Sequence, residues 1–208
     1  MVVILKTEDP QYAKRLVAIQ LPWWKRLLDV QLPYRLHVRH LKLGRTLDVG
    51  CGIGRVLAML GTDGVGVDHN REAVEVARQR GFLAYTPQEL RSSADGASAT
   101  FDSLLFAHVL EHMSRTDAVE LIRDYLPLLR PGGRVVVFTP QELGFRSDST
   151  HVELMDFDRL RGILNELGLE TVAQYSFPFP RAMGRMFKYN EFVSIARTST
   201  GPVVPETP

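Results

Sequence analysis

The stretch Leu47-Asp48-Val49-Gly50-Cys51-Gly52-Ile53-Gly54 decides how the chain is read. Its first residues end a short apolar run that begins at Thr46, and it opens into the amphipathic segment Arg55 to Leu60. A strand, alternating glycines and then a helix form a sharp turn under which a ligand can sit, because glycine accepts positive φ and has no Cβ to hold the ligand away. The spacing is Gly-x-Gly-x-Gly rather than the Gly-x-Gly-x-x-Gly of a dinucleotide fingerprint, and an acid, Asp48, lies inside the strand. Both features weigh against an NAD or flavin Rossmann domain. A second acid, Asp68, closes the next apolar run, Val65-Gly66-Val67. A carboxylate there can accept hydrogen bonds from both hydroxyls of a ribose.

Outward from this turn, short apolar runs alternate with amphipathic segments. Strands are predicted at 46–49, 65–68, 82–85, 103–107 and 134–138, and helices at 55–60, 71–80 and 117–129. Pro131-Gly132-Gly133 reads as the turn before the fifth strand. Leu160, Ile163, Leu164 and Leu167 mark another helix, with Gly168 as its terminator, and strands follow at Thr171 to Phe177 and Phe192 to Ala196. Alternation of this kind predicts an α/β fold: a Rossmann-like, mostly parallel sheet with helices on both faces. The last two strands have no full helix between them, which predicts an antiparallel excursion at one edge. Residues 1–44 read as an N-terminal helical arm or lid. Asp9-Pro10 starts one helix, and a second segment, Trp23 to Val30, carries adjacent tryptophans. Residues 45–197 form the main domain, and 198–208, rich in Pro and Thr, read as a disordered tail.

A chain of 208 residues, 45% hydrophobic and 24% charged, fits one soluble globular domain with a sizeable core. Lys and Arg total 25 against 24 Asp and Glu, so no global basic field exists and nucleic acid is not an expected partner. One cysteine excludes an intramolecular disulfide and a Cys-cluster zinc site. No apolar run approaches the ~20 residues of a membrane span, and Val2-Val3-Ile4-Leu5 is too short for a signal-peptide core. A cytoplasmic protein is expected. The oligomeric state stays open, a homodimer being one of the assemblies the sequence admits.

Asp48 to Gly54, Asp68, Phe101-Asp102 before the fourth strand and Leu129-Arg130-Pro131-Gly132-Gly133 before the fifth occur in order and at the right intervals. Together they resemble the class I S-adenosylmethionine-dependent methyltransferases, over roughly Arg45 to Ala196. The resemblance implies a seven-stranded sheet whose last strand is antiparallel. It also implies that Asp48, Gly50, Cys51, Gly52 and Gly54 hold the methionine end of S-adenosylmethionine, that Asp68 binds the ribose, and that His69 flanks the adenine. By the same resemblance Gln88 and Glu89 approach the adenine, and Ala107 and His108 lie beside the methyl group.

His108-Val109-Leu110-Glu111-His112 matches the His-x-x-Glu-His pattern of certain zinc proteases. That chemistry needs a long helix, whereas here the motif begins where a parallel strand ends. If a helical turn starts there, His108, Glu111 and His112 share one face, at i, i+3 and i+4. His151, in Asp148-Ser149-Thr150-His151 after the fifth strand, opens toward the same rim. The four residues are candidate ligands for a divalent metal. The catechol-type O-methyltransferases of ubiquinone synthesis resemble this chain in carrying Glu-x-x-Glu-His after the fourth strand, and small-RNA 2′-O-methyltransferases add a later His. Here His108 replaces the first Glu, which shifts the metal preference from Mg²⁺ toward Mn²⁺, Fe²⁺ or Zn²⁺. Without a metal, His108, His112 or His151 would act as general base.

The reading is an O-methyltransferase acting on a small hydroxylated acceptor, a saccharide first. Phe177-Pro178-Phe179-Pro180 with Arg181, Arg185 and Lys188 offers rings for stacking and charges for an anionic group. The alternatives are a quinone- or catechol-type O-methyltransferase, or a cofactor-binding regulatory protein without turnover.

Overall fold

The computed structural model describes residues 32–198. The helices expected around Asp9 and over Trp23 to Val30, the paired tryptophans and all but the first residue of the expected tail lie outside that range.

In chain order the elements are α1 (Leu32–His40), β1 (Thr46–Val49), α2 (Leu57–Leu60), β2 (Gly64–Val67), α3 (Arg71–Gln79), β3 (Ala84–Tyr85), α4 (Pro87–Ser92), β4 (Phe101–Ala107), α5 (Arg115–Tyr125), β5 (Leu129–Pro140), α6 (Glu142–Arg146), α7 (Phe157–Glu166), β6 (Glu170–Phe177) and β7 (Glu191–Arg197). The strands form one seven-stranded sheet in the order β3-β2-β1-β4-β5-β7-β6. The β1–β2, β1–β4, β2–β3 and β4–β5 pairs are parallel, and β7 runs antiparallel to both β5 and β6. The antiparallel strand therefore lies one place in from the edge, and the edge strand β6 runs with the others.

Burial explains the near-continuous apolar strands. In β4, Leu104 and Phe106 face one layer of the core with Val135, Val137, Ile122 of α5 and Ile163 of α7. Leu105 and Ala107 face the other layer with Val136, Phe138, Val193 and Val38 of α1. Both sets are buried because both faces are covered, the condition for an all-apolar parallel strand. Side-chain caps set the helix starts: Asn70 caps α3, Thr86 and Glu89 form a capping box on α4, and Ser114 caps α5. The cap at Ser114 is why α5 begins at Arg115, two residues before the apolar pattern alone suggested.

Pro131-Gly132-Gly133 is not a separate turn. It is taken into β5, where the pairing with β4 jumps from Phe101↔Leu129 to Ser103↔Arg134, and Gly132, at φ +74°, bends the strand. Strand order reverses between β1 and β4. An open parallel sheet leaves a crevice at such a point, outside the carboxyl ends of the strands, where ligands bind.

Candidate active site

The glycine turn stands at that crevice. Val67 O accepts from both Gly50 N (2.8 Å) and Cys51 N (3.1 Å), which folds the loop back over the end of β2. Gly50 has φ +77°, and a Cβ there would collide with Val109, so this position takes only glycine for steric and conformational reasons alike. Asp68 clamps the loop: its Oδ2 accepts from Gly52 N at 2.7 Å, and its Oδ1 from Asn70 N at 2.8 Å. A carboxylate has about four lone-pair sites, so this clamp leaves capacity for ligand hydroxyls.

Asp48 lies directly beneath. It is 2% exposed, and its Oδ2 has no hydrogen-bond partner. Burial, helped by the charge of Asp68, pushes its carboxyl up to about 8. A buried carboxyl in this state keeps its proton at neutral pH unless a donor or a cation arrives to hold the charged form. The Cys51 thiol is also pushed up by burial and by Asp48, which makes it unreactive packing.

Farther along the crevice, His69 follows β2 with its Nδ1 3.6 Å from Asp68 Oδ1 and its side chain 42% exposed. Gln88 sits on the first turn of α4 and is exposed. Glu89 is occupied: its Oε2 accepts from Thr86 N at 2.8 Å and from Arg78 Nη2 at 2.7 Å. Ala107 closes β4 and packs in the core with Phe138.

His108 then takes φ +59°, a left-handed conformation rare for a residue with a side chain. It keeps 42% of its side-chain surface open even though protein surrounds it closely, as befits a residue lining a concavity. Its Nδ1 lies 3.3 Å from Glu111 Oε1, and its Nε2 lies 2.9 Å from Glu191 Oε1. A ring with a carboxylate at each nitrogen donates from both, so it is an imidazolium. Burial alone would lower its pKa, but Glu191 and Glu111 raise it well above the ordinary histidine value.

The segment after β4 is a single 3-10 turn, Leu110–His112, rather than an α-helical one. His108 precedes that turn in its left-handed conformation, so it does not share a helical face with the later residues of the motif. It meets Glu111, while His112 turns toward Thr150 in the loop after β5. There Glu111, His112 and His151 bring ligand atoms within 4.8 Å of one another, without His108. The His112 and His151 rings are 4.8 Å apart. His151 Nδ1 donates to Phe145 O at 2.7 Å, and His112 Nδ1 lies 3.3 Å from Thr150 O. Both rings thus have their Nε2 lone pairs available. Burial lowers the pKa of His112, and His151 adds to this, so His112 is neutral at pH 7. Glu111 is fully buried, and its Oε2 has no partner.

Two residues of the site escape sequence reading. Glu191 opens β7 at 8% exposure, with its Oε2 unpartnered. Tyr34, on α1, turns a buried and unpartnered hydroxyl toward the same region. Burial raises its pKa, and the carboxylates of Glu191, Asp48 and Glu111 raise it further. A lone Glu at the start of a strand and a Tyr on a short helix carry no periodicity that would single them out. Conversely, two residues of the resemblance motifs prove to be framework: Arg130 Nη1 pairs with Asp102 Oδ1 at 2.6 Å at the far end of the sheet.

Comparison with known proteins agrees with this geometry. The family described as methyltransferase domain matches residues 24–174. The ubiquinone biosynthesis O-methyltransferase of Xanthomonas oryzae pv. oryzae is 31% identical over 134 residues, 56% of this chain and 55% of that protein. The chain thus spans about half the length of this curated relative. Among solved structures, the N-methyltransferase NodS of Bradyrhizobium japonicum WM9 with S-adenosyl-L-homocysteine has a TM-score of 0.65 at 20% identity, covering 90% of this chain and 97% of that one. The magnesium protoporphyrin IX methyltransferase of Synechocystis PCC 6803 with bound SAH has a TM-score of 0.64 at 17% identity, covering 95% and 99%. At these identities the two structures bear on the fold.

Proposed function

We propose that this chain, which belongs to the methyltransferase domain family of class I S-adenosylmethionine-dependent enzymes, transfers the cofactor's methyl group to an oxygen of a small acceptor bearing neighbouring hydroxyls. The observation that carries the reading is the glycine turn clamped by Asp68 over the β1–β4 crevice, with the unpartnered Asp48 carboxyl beneath it. In this reading the turn and Asp48 take the methionine end, Asp68 the ribose, and His69 and Gln88 the adenine side, while Ala107 and His108 border the methyl group. The name of the curated relatives moves the acceptor from the saccharide expected first to the quinone or catechol class that stood as the alternative.

The sulfonium is a strong electrophile, so the protein's task is to align an oxygen behind the methyl carbon and remove its proton. The S–CH₃ bond breaks with its pair going to sulfur, the O–CH₃ bond forms, and the hydroxyl proton passes to a base. The imidazoles of His112 and His151 are the bases within reach of the rim, and His108, held between two carboxylates, orients rather than accepts.

Glu111, His112 and His151 also fit a divalent cation. One carboxylate with an unpartnered oxygen and two imidazoles with anchored Nδ1 atoms make a donor set of the kind that would hold Mn²⁺, Fe²⁺ or Zn²⁺. When bound, such a cation supplies Lewis acidity that lowers the pKa of a chelated hydroxyl.

The test is calorimetric titration of S-adenosylmethionine, followed by measurement of S-adenosylhomocysteine release with a catechol and with a saccharide, each with and without EDTA. Cofactor binding with catechol-dependent release supports the reading, and EDTA-sensitive release restored by Mn²⁺ supports the cation. Cofactor binding without release from any acceptor indicates a regulatory protein. No cofactor binding refutes the proposal.

A further inference from the structure

The connection between β6 and β7, residues 178–190, gathers exposed apolar and basic side chains that methyl transfer leaves unused. It holds three of the eight large hydrophobic residues exposed among those described, Phe179, Met186 and Tyr189, and Met186, at 76%, is the most exposed of all. Arg185 and Lys188 flank Met186 and Tyr189, exposed and with no carboxylate at salt-bridge distance among the described residues. The chain has no Asp or Glu from Thr171 to Asn190. Of the acids beside the connection, Glu142 is held by Arg181 at 2.9 Å and Glu191 is buried. These side chains are not the loose ends of an unpacked loop. Asn190, fully buried, accepts from Phe179 N at 2.9 Å and donates to Gln141 Oε1 at 3.0 Å. Phe187 stands edge-on to both Phe179 and Tyr189, with ring centres 5.2 and 5.6 Å apart. The base of the connection is pinned and its tips are left in the open.

We propose that the 178–190 connection docks the protein on an anionic lipid surface, with Phe179, Met186 and Tyr189 entering the headgroup layer and Arg185 and Lys188 meeting the phosphates. Exposed apolar patches of this kind mark a contact surface. Here the apolar tips alternate with cations along Arg185-Met186-Phe187-Lys188-Tyr189, and no acid interrupts them. That pattern is complementary to a surface that is anionic outside and apolar just beneath: the acyl boundary takes the rings and the thioether, and the lipid phosphates take the charges. Like charge on every copy disfavours pairing of this connection with itself. Among the described residues no helix is long and apolar enough to cross a membrane, so the docking is shallow. β6 ends and β7 begins at the carboxyl ends of the parallel strands, so the docked face is the end of the sheet where the crevice opens. Docking itself does not depend on what the crevice binds.

Sedimentation with sucrose-loaded vesicles tests this on the full chain, without cofactor or acceptor. Vesicles of phosphatidylglycerol and phosphatidylcholine in equal parts should carry the protein down, and phosphatidylcholine alone should bind it at least about tenfold more weakly. Each cation at an anionic surface contributes roughly fivefold to partitioning, so Arg185→Gln with Lys188→Gln should weaken binding about twentyfold. Met186→Ser should weaken it about tenfold at unchanged net charge. Arg39→Gln with Lys42→Gln removes equal charge from the opposite end of the sheet, where Arg134 of β5 donates to Leu41 O. Both of those side chains are exposed, and this variant should stay within about twofold of the wild type. All five substitutions lie on exposed side chains, so the melting temperatures should not move. Absence of binding to the anionic vesicles overturns the proposal and leaves the connection to an acidic protein surface. Equal weakening by the two charge-removing pairs also overturns it, because the attraction is then general rather than located. Binding that Met186→Ser leaves unchanged overturns it as well.

Discussion

The substitution Asp48→Asn tests the electrostatics of the glycine turn through stability alone. Asp48 is 2% exposed, and its folded carboxyl titrates near 8, raised from 3.8 first by burial and then by Asp68. Between those two values the unfolded chain has lost this proton and the folded chain keeps it. The unfolding free energy then falls with pH, by about 1.4 kcal/mol per unit for one group. The stability linked to this proton is fully present below pH 4 and is lost as pH rises through 8. From pH 5 to pH 7 the wild-type protein without cofactor should lose about 3 kcal/mol from this residue. An asparagine side chain has nearly the same shape and no titrating proton, so the variant should lack that slope. Urea denaturation of both proteins at several pH values between 5 and 8 isolates the effect as a difference, in which the shared titrations cancel. The variant should gain on the wild type steadily across the range. A difference that stays flat with pH would refute the argument that Asp48 is held protonated in the folded state.

Two further substitutions probe the framework around the site. Gly50→Ala forces an L residue to φ +77° and drives its Cβ into Val109, and should cost about 2–4 kcal/mol by denaturation; Gly168→Ala, at φ +71° in open space, should cost only about 1 kcal/mol, and equal losses would contradict the steric account. Asn190→Ala removes a fully buried amide that donates to Gln141 Oε1 at 3.0 Å and accepts from Phe179 N at 2.9 Å, and should cost about 2–3 kcal/mol, read as a lower urea midpoint with an unchanged slope.

Much of this architecture was legible because burial on both faces writes itself into a sequence as short apolar runs. β1, β4 and α7 fall within a few residues of their expected bounds for that reason, and the glycine turn was found because its φ values exclude other residues. What escaped was set by contacts distant in sequence. The sheet order places β7 between β5 and β6, which no local pattern records. His108 takes a left-handed φ ahead of the 3-10 turn at Leu110–His112, so it parts from His112 and joins Glu191, 83 residues away. The expected four-membered ligand set therefore becomes a group of three, Glu111, His112 and His151, beside an ion-paired histidine. Gln88 and Glu89 followed β3 as expected, but Glu89 is committed to the cap of α4 and to Arg78, a commitment that the Thr86-x-x-Glu89 capping pattern already contained.

The reversed direction of β7 divides the ligand end of the sheet in two. Parallel strands deliver their last residues to the ligand end of the sheet, whereas an antiparallel strand delivers its first, which is how Glu191 arrives there directly from the connection at 178–190. The half of the sheet built from β1 to β4 carries the glycine turn and its Asp68 clamp. The other half hangs its chemistry on a surface connection that can be rewritten without disturbing a single parallel pairing. Substitutions in that connection can thus reshape the surroundings of Glu191 while the glycine turn keeps its own hydrogen bonds.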